Sequence, residues 1–205
     1  MIKKSRLGPE ALLFPTPSVL VGTMVEGRAN FMTAAWCGIA SSKPPAISVA
    51  VRGERHTLKG ILANGEFSIN VPSVAMVAEV DFCGIYSGRK VDKSTVFELF
   101  SGDLAYAPLV SACPLNLECR LRHTLDLGGH TLVVGEVIQT HITEDCMTDG
   151  RPDAVKIDPL VYSPGSGNYQ RLEKSSPKRS PSAKRKTRVR NERLQAGAGS
   201  VRSPT

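Results

Sequence analysis

Two short stretches carry the residue types that chemistry needs. The first is RANFMTAAWCGIASSKPP, residues 28–45. A polar opening (Arg28, Ala29, Asn30) leads through Thr33, Ala34 and Ala35 to Trp36, the single tryptophan, and the stretch ends in Ser41-Ser42-Lys43-Pro44-Pro45. Small side chains leave backbone amides uncovered, so another molecule can approach closely. A large flat ring beside open backbone suits a planar cofactor. It also suits a strand whose tryptophan fills a core, and the segment alone leaves both readings open. The second stretch is VRGERHTLKGI, residues 51–61. Arg52, Arg55, His56 and Thr57 stand directly before a helical pattern. Free amides at a helix start, a hydroxyl and nearby cations make an anion site. A capped surface helix with solvated arginines accounts for the same residues equally well.

The elements that must position these residues are mostly strands. Leu115, Leu117, Cys119 and Leu121 alternate in LNLECRL, as do Phe67, Ile69 and Val71 in EFSINV, which is the period of a half-buried strand. VLVGTM, AISVAV and TLVVGEVIQTHI are apolar enough to be strands buried on one or both faces. Helical spacing predicts three short helices. One carries Leu58, Ile61 and Leu62 and stops at Asn64-Gly65. The second is capped by Ser73 and carries Val74, Val77 and Ala78. Val96, Leu99 and Phe100 mark the third. Strands outnumber helices, which reads as a β-barrel with inserted helices.

Composition sets the limits. The chain has 205 residues, 41% of them apolar, enough for one domain with a real core. The net charge of +7 is unevenly placed. Lys174 to Thr205 hold ten Lys/Arg against one acid, Glu192, while the preceding body carries −2. That last segment has almost no large apolar residue, so we expect residues 173–205 to be a disordered basic tail. Residues 1–172 then form the folded domain. The five cysteines show no CxxC spacing, so no disulfide framework and no metal site is expected. MIKKSRLGPEALLF lacks a long apolar run and no segment reaches the length of a membrane span, which makes a cytoplasmic protein with reduced, mostly buried thiols the expectation. There is no GxSxG, HExxH or Walker loop, and GSGN at 165–168 lacks a dinucleotide-binding context. No residue stands out as catalytic.

Four stretches in this order, the two above with GIYSGRKVDKS (84–94) and LGGHTLVVGEV (127–137), resemble the flavin reductase-like family of FMN-binding split barrels, and within it the flavoredoxin branch. The resemblance covers roughly residues 8–172. One departure is Ser94, where the family often has an aromatic residue. The resemblance implies a split, Greek-key β-barrel that pairs into a homodimer and binds FMN non-covalently near the subunit boundary. It implies a ring slot formed by Asn30, Thr33, Ala34, Ala35 and Trp36, with phosphate at Thr57. Ser41 and Ser42 would contact ribityl or phosphate, although a plain turn before Pro44-Pro45 explains them more simply. Lys93 would lie at the flavin or its phosphate; as a residue alone it reads as a solvated loop lysine. His130 would line the pocket, from its own subunit or from the partner. Tyr162 and Tyr169 would close it, or serve as late core residues. His123 and His141 match nothing and read as surface.

The expected activity is NAD(P)H-dependent reduction of flavin with onward electron transfer, in which flavin does the redox work and the protein supplies position and electrostatics. The alternative is a flavoredoxin-type electron carrier without nicotinamide turnover, acting on a redox-protein partner. A third reading, nucleic-acid binding through the basic tail, ranks below both, because the tail would attract polyanions through charge alone.

Overall fold

The computed structural model describes residues 2–172, and the expected disordered tail at 173–205 lies outside the described residues. The chain runs β1 (Thr16–Pro17), β2 (Val19–Val25), β3 (Arg28–Ala34), β4 (Cys37–Ser42), β5 (Pro45–Arg52), α1 (His56–Asn64), β6 (Glu66–Val71) and α2 (Val77–Ile85). It continues through β7 (Leu99–Phe100), β8 (Leu109–Val110), β9 (Leu115–Asp126), β10 (His130–Ile142), β11 (Met147–Thr148), β12 (Arg151–Pro152), α3 (Ala154–Ile157), β13 (Leu160–Ser163) and β14 (Asn168–Arg171). Seven of these strands form one antiparallel sheet in the order β3-β2-β6-β9-β10-β5-β4. This is the mainly β, Greek-key barrel with short inserted helices that the sequence implies. No helix among the described residues is long and apolar enough to cross a membrane.

Period-two alternation builds two cores from the same strands. Val21, Met32, Val51, Phe67 and Val133 meet inside the sheet, and Leu58 and Ile61 of α1 close that core. On the opposite face Leu20 and Phe31 pack against Val80 and Cys83 of α2. Strands β2 and β3 are therefore buried on both sides. Helix α1 ends at Gly65 as expected, but Leu62 is exposed and lies off the buried face.

Three expectations need correction. The segment with Val96, Leu99 and Phe100 is not a helix: Leu99–Phe100 pairs with Leu109–Val110 as β7 and β8, and Phe97, in the bend before β7, packs with Leu99 on the second core. Tertiary pairing overrides a helical spacing there. Ser73 does not cap with its side chain; its backbone bridges Pro159 instead, and α2 buries Val80 and Cys83 rather than Val77 and Ala78. His141 is not a free surface residue. Its Nε2 lies 2.7 Å from Oε1 of Glu118, which is fully buried.

Glu118 belongs to a polar face of β6 and β9 that a strand pattern alone assigns to solvent. The loop between β7 and β9 covers it. Glu118 Oε2 accepts from the Leu104 amide at 2.6 Å. Asn116 donates to Asn70 at 2.7 Å and to the Val110 carbonyl at 3.0 Å, and the Val110 amide donates to Asn70 at 2.9 Å. Burial raises the Glu118 carboxyl, but the bonds from His141 and Leu104 outweigh it and hold the group below its ordinary range. A carboxylate with a depressed folded value contributes stability above its unfolded value, and that contribution is lost as pH falls through the folded value. Glu118→Gln should lower stability at neutral pH by about 1–3 kcal/mol. The gap from wild type should narrow below a pH of about 4, as read by urea unfolding at both pH values. A constant gap would remove the carboxylate charge from the account.

Candidate functional site

Strand β3 and helix α1 meet at a hydrogen bond between two buried side chains, Asn30 and Thr57. Asn30 Nδ2 donates to Thr57 Oγ1 at 2.7 Å. Helix α1 starts without a side-chain cap and without an acidic residue in its first turn; the Leu58 amide donates to the Arg55 carbonyl at 3.1 Å, which leaves the amides of His56 and Thr57 without the usual side-chain partners. The start of the helix borders a pocket of about 190 Å³ whose lining includes Arg52, Arg55, His56, Thr57, Tyr86 and Lys93. Glu54 is the single acid in that lining, and Arg52 neutralises it at 3.4 Å. Arg55 Nη1 donates to the Gly84 carbonyl at 2.8 Å, fixing the end of α2 beside the pocket. The buried Nδ1 of His56 has no hydrogen-bond partner, and desolvation leads the causes that lower this imidazole's pKa. Cations, uncapped amides, a hydroxyl and an orphaned ring nitrogen around one concavity are the groups an anion site needs.

Lys93 is not a solvated loop lysine. It is 3% exposed, and its ammonium donates to the carbonyls of Phe31 and Cys83, both at 2.9 Å. Two of its three donors are therefore committed, and the third is left for the pocket it lines. Burial pushes its pKa down. The loop ahead of it is pressed onto Asn30: a Cβ at Gly88 would stand 1.9 Å from Asn30 Oδ1, so only glycine permits this approach. Ser94, at the family's usual aromatic position, donates from its amide (2.9 Å) and hydroxyl (2.6 Å) to Asp92, closing a local turn.

Trp36 does not fill a core. It is 45% exposed and stacks on His130, with ring centroids 4.7 Å apart and planes inclined by 28°. Register explains the meeting. Trp36 accepts from the Ala50 amide through its carbonyl, and His130 pairs with Arg52 across β5 and β10. The aromatic pair and the cationic pocket therefore lie at the same end of the sheet. The neighbouring Cys37 thiol is pushed up to about 12 by burial, so it is not a thiolate at neutral pH.

Other expected site residues are placed differently. Thr33 donates its hydroxyl to the Val80 carbonyl and Ala34 packs in the barrel core, leaving backbone, with half-buried Ala35, to form a slot. Ser41 pairs with Ala46 and Ser42 with Pro45, six or more residues along β5 from Arg52, or roughly 20 Å at strand rise. Within one chain they do not join the pocket, and Ser41 Oγ instead accepts from the Lys43 amide at 3.3 Å, as a turn residue does. Tyr169 donates to Asp81 at 3.2 Å and packs on the second core. Sequence reasoning did not single out Gly88, Arg89 or Lys90, although the SGRK run inside a quoted motif was the available signal. Lys93→Met should destabilise the fold by roughly 2–4 kcal/mol, because it orphans two buried carbonyls at about 1–3 kcal/mol each. Thermal or urea melts check this, and an unchanged melt would return Lys93 to a solvated role.

Residues 11–172 match the family described as flavin reductase like domain. In structure the chain is similar to a flavoredoxin from Methanosarcina acetivorans, with a TM-score of 0.86 and 36% identity, covering 90% of this chain and 99% of that one. It is similar to an FMN-binding protein from Thermus thermophilus, with a TM-score of 0.73 and 29% identity, covering 86% and 100%. A flavin reductase (NADH) from Kitasatospora aureofaciens is 29% identical over 133 residues, which are 60% of this chain and 64% of that protein. A split barrel with these proportions, matched along nearly all of its described length, places the chain in the flavin reductase-like domain family.

Proposed function

We propose that the chain binds one FMN per subunit non-covalently and works as a flavin oxidoreductase, taking hydride from NADH or NADPH and passing electrons onward. The observation that carries this reading is the cationic pocket at the uncapped start of α1, lying at the same sheet end as the exposed Trp36–His130 stack. The names of the Thermus and Kitasatospora proteins support flavin and a nicotinamide donor.

In this reading Thr57, His56, Arg52 and Arg55 hold the phosphate, and Asn30 orients the Thr57 hydroxyl toward it. Lys93 adds its remaining donor and fixes the loop. The backbone of residues 33–36 and the Trp36–His130 pair bound the ring. When bound, the flavin supplies the redox chemistry, which is why no acid–base pair is required. Backbone amides near the ring stabilise negative charge as it develops.

A homodimer completes the reading. Edge strand β4 leaves Ile39 83% exposed, and an apolar edge of that kind favours pairing with a second copy. The buried free thiols Cys83, Cys113 and Cys119 fit a reducing, cytoplasmic setting. The ten Lys/Arg of residues 174–205 would attract polyanions, and since the family match ends at residue 172, truncation after Leu172 should leave flavin affinity unchanged.

Quenching of FMN fluorescence by the protein, followed by NADH or NADPH addition while flavin absorbance is recorded, tests the function. Protein that neither carries nor quenches FMN would sink it. Likeness to a flavoredoxin favours a second reading, an electron carrier; bound flavin that stays oxidised in both nicotinamides would select it. Trp36→Ala should leave the melt almost unchanged, since the ring is half exposed. It should weaken FMN by about 0.5–1.5 kcal/mol, the worth of an aromatic stack. A collapsed melt with unchanged FMN affinity would make the ring structural.

A further inference from the structure

A larger cleft of about 660 Å³ continues from the small pocket past His56, and the two share His56, Gly88 and Lys93. Their walls together hold seven lysines and arginines against three acids. All three acids are engaged. Lys59 lies 2.5 Å from Glu26, while Arg28 and Arg52 each lie 3.4 Å from Asp92 and Glu54 respectively. Arg55 and Lys93 are committed to carbonyls beside the small pocket. That leaves Arg89 and Lys90, which are exposed and have no carboxylate partner among the described residues. The body ahead of the tail carries −2, so this surplus of four cations is local. A phosphomonoester in the small pocket would bring about −1.5 to −2, which leaves Arg89 and Lys90 unneutralised.

The loop that carries this charge is fixed. The Lys90 and Val91 amides donate to the Ser87 carbonyl at 2.9 and 3.1 Å, and the Arg89 amide donates to Ser87 Oγ at 3.3 Å. Gly88 seats the loop on Asn30. A backbone already ordered lowers the entropy that a partner must remove. On the flank of the same loop Ile85 is 67% and Tyr86 48% exposed. Tyr86 leans on Phe82, with ring centroids 4.8 Å apart. An exposed isoleucine and tyrosine beside unpaired Arg89 and Lys90 have the mixed composition of a protein-binding patch. A nucleic-acid backbone has no use for the isoleucine. We propose that this face, from the end of α2 through residues 87–92, docks an acidic one-electron carrier protein. The inference rests on the flavin reading above and names the partner that takes the onward electrons. Charge complementarity selects an acidic contact surface, and a carrier seated here stands beside the pocket assigned to flavin. Two carriers each accept one electron. The fully reduced flavin loses both electrons, releases two protons to solvent and returns to the oxidised form. Encounters of this kind bury little surface and are steered by charge.

The test loads the full chain with FMN, reduces it anaerobically with dithionite and mixes it with one of two carriers. Rubredoxin, an acidic iron–thiolate protein, is the probe, and basic cytochrome c is the control; their absorbance gives the rates. Wild type and Arg89→Gln/Lys90→Gln are compared. Both positions are exposed and neither lines the small pocket, so the double variant should fold and keep FMN affinity within about twofold. With wild type, added salt should slow rubredoxin reduction and leave cytochrome c reduction no slower. At low salt the double variant should slow rubredoxin about 3- to 10-fold, the scale of two screened charge contacts, and should not slow cytochrome c. A salt-sensitive rubredoxin rate that the substitutions leave unchanged assigns the attraction to the basic tail and overturns this inference. Equal slowing of both carriers traces the effect to the flavin and also overturns it. So does a DNA duplex whose binding falls with the substitutions while rubredoxin is unaffected. Failure to bind FMN overturns the flavin reading and this inference with it.

Discussion

A buried ammonium joins elements that the chain order keeps apart. Lys93 reaches the carbonyl of Phe31 on β3 and that of Cys83 on α2, and so ties sheet, helix and loop at one point. Burying a cation is expensive unless its donors find partners, and two of the three find carbonyls here. That expense makes the arrangement selective, because few other placements of the loop would satisfy the group. With the loop set, Gly88 lies on Asn30, and Asn30 holds the Thr57 hydroxyl. The first turn of α1, the end of α2 and the central strand β3 are thereby registered to one another by polar contacts, while the two apolar cores supply the bulk of the burial.

The same logic appears at the other end of the molecule. Glu118 is a buried anion satisfied by an amide and an imidazole, and it fastens the loop between β7 and β9 over the sheet. Each charge marks a place where an irregular segment must be held against regular structure. Apolar contacts alone tolerate small slips, whereas hydrogen bonds to a buried charge do not.

The strands were legible from alternation in EFSINV and from apolar density in AISVAV and VLVGTM, and all three fall within observed strands. Alternation does not say what covers the second face, so Ser68 and Asn70 read as solvent-facing, though both are buried beneath a loop. Thr57 and the preceding cations were legible as a group because a helix start has a local signature. The Trp36–His130 contact was not legible, since it depends on β10 pairing with β5 and on where β4 begins. Local spacing also misled at Leu99 and Phe100, where a two-residue strand pair outcompetes a helical pattern. Ser41 illustrates the limit of proximity in sequence. It stands five residues from Trp36, yet the strand carries it to the far end of the hairpin.

Helix α1 begins with its amides uncapped and no acid in its first turn. A missing cap costs a helix about 1 kcal/mol. The polypeptide by itself is therefore left slightly unfinished at this helix end, and an anion seated there, as proposed, would supply what the sequence withholds. Were the proposed flavin phosphate to sit there, occupancy and folding would be thermodynamically linked, and stability would rise with ligand concentration. A cell short of that ligand would hold a looser population of this protein, more open to proteolysis, and abundance itself would follow supply.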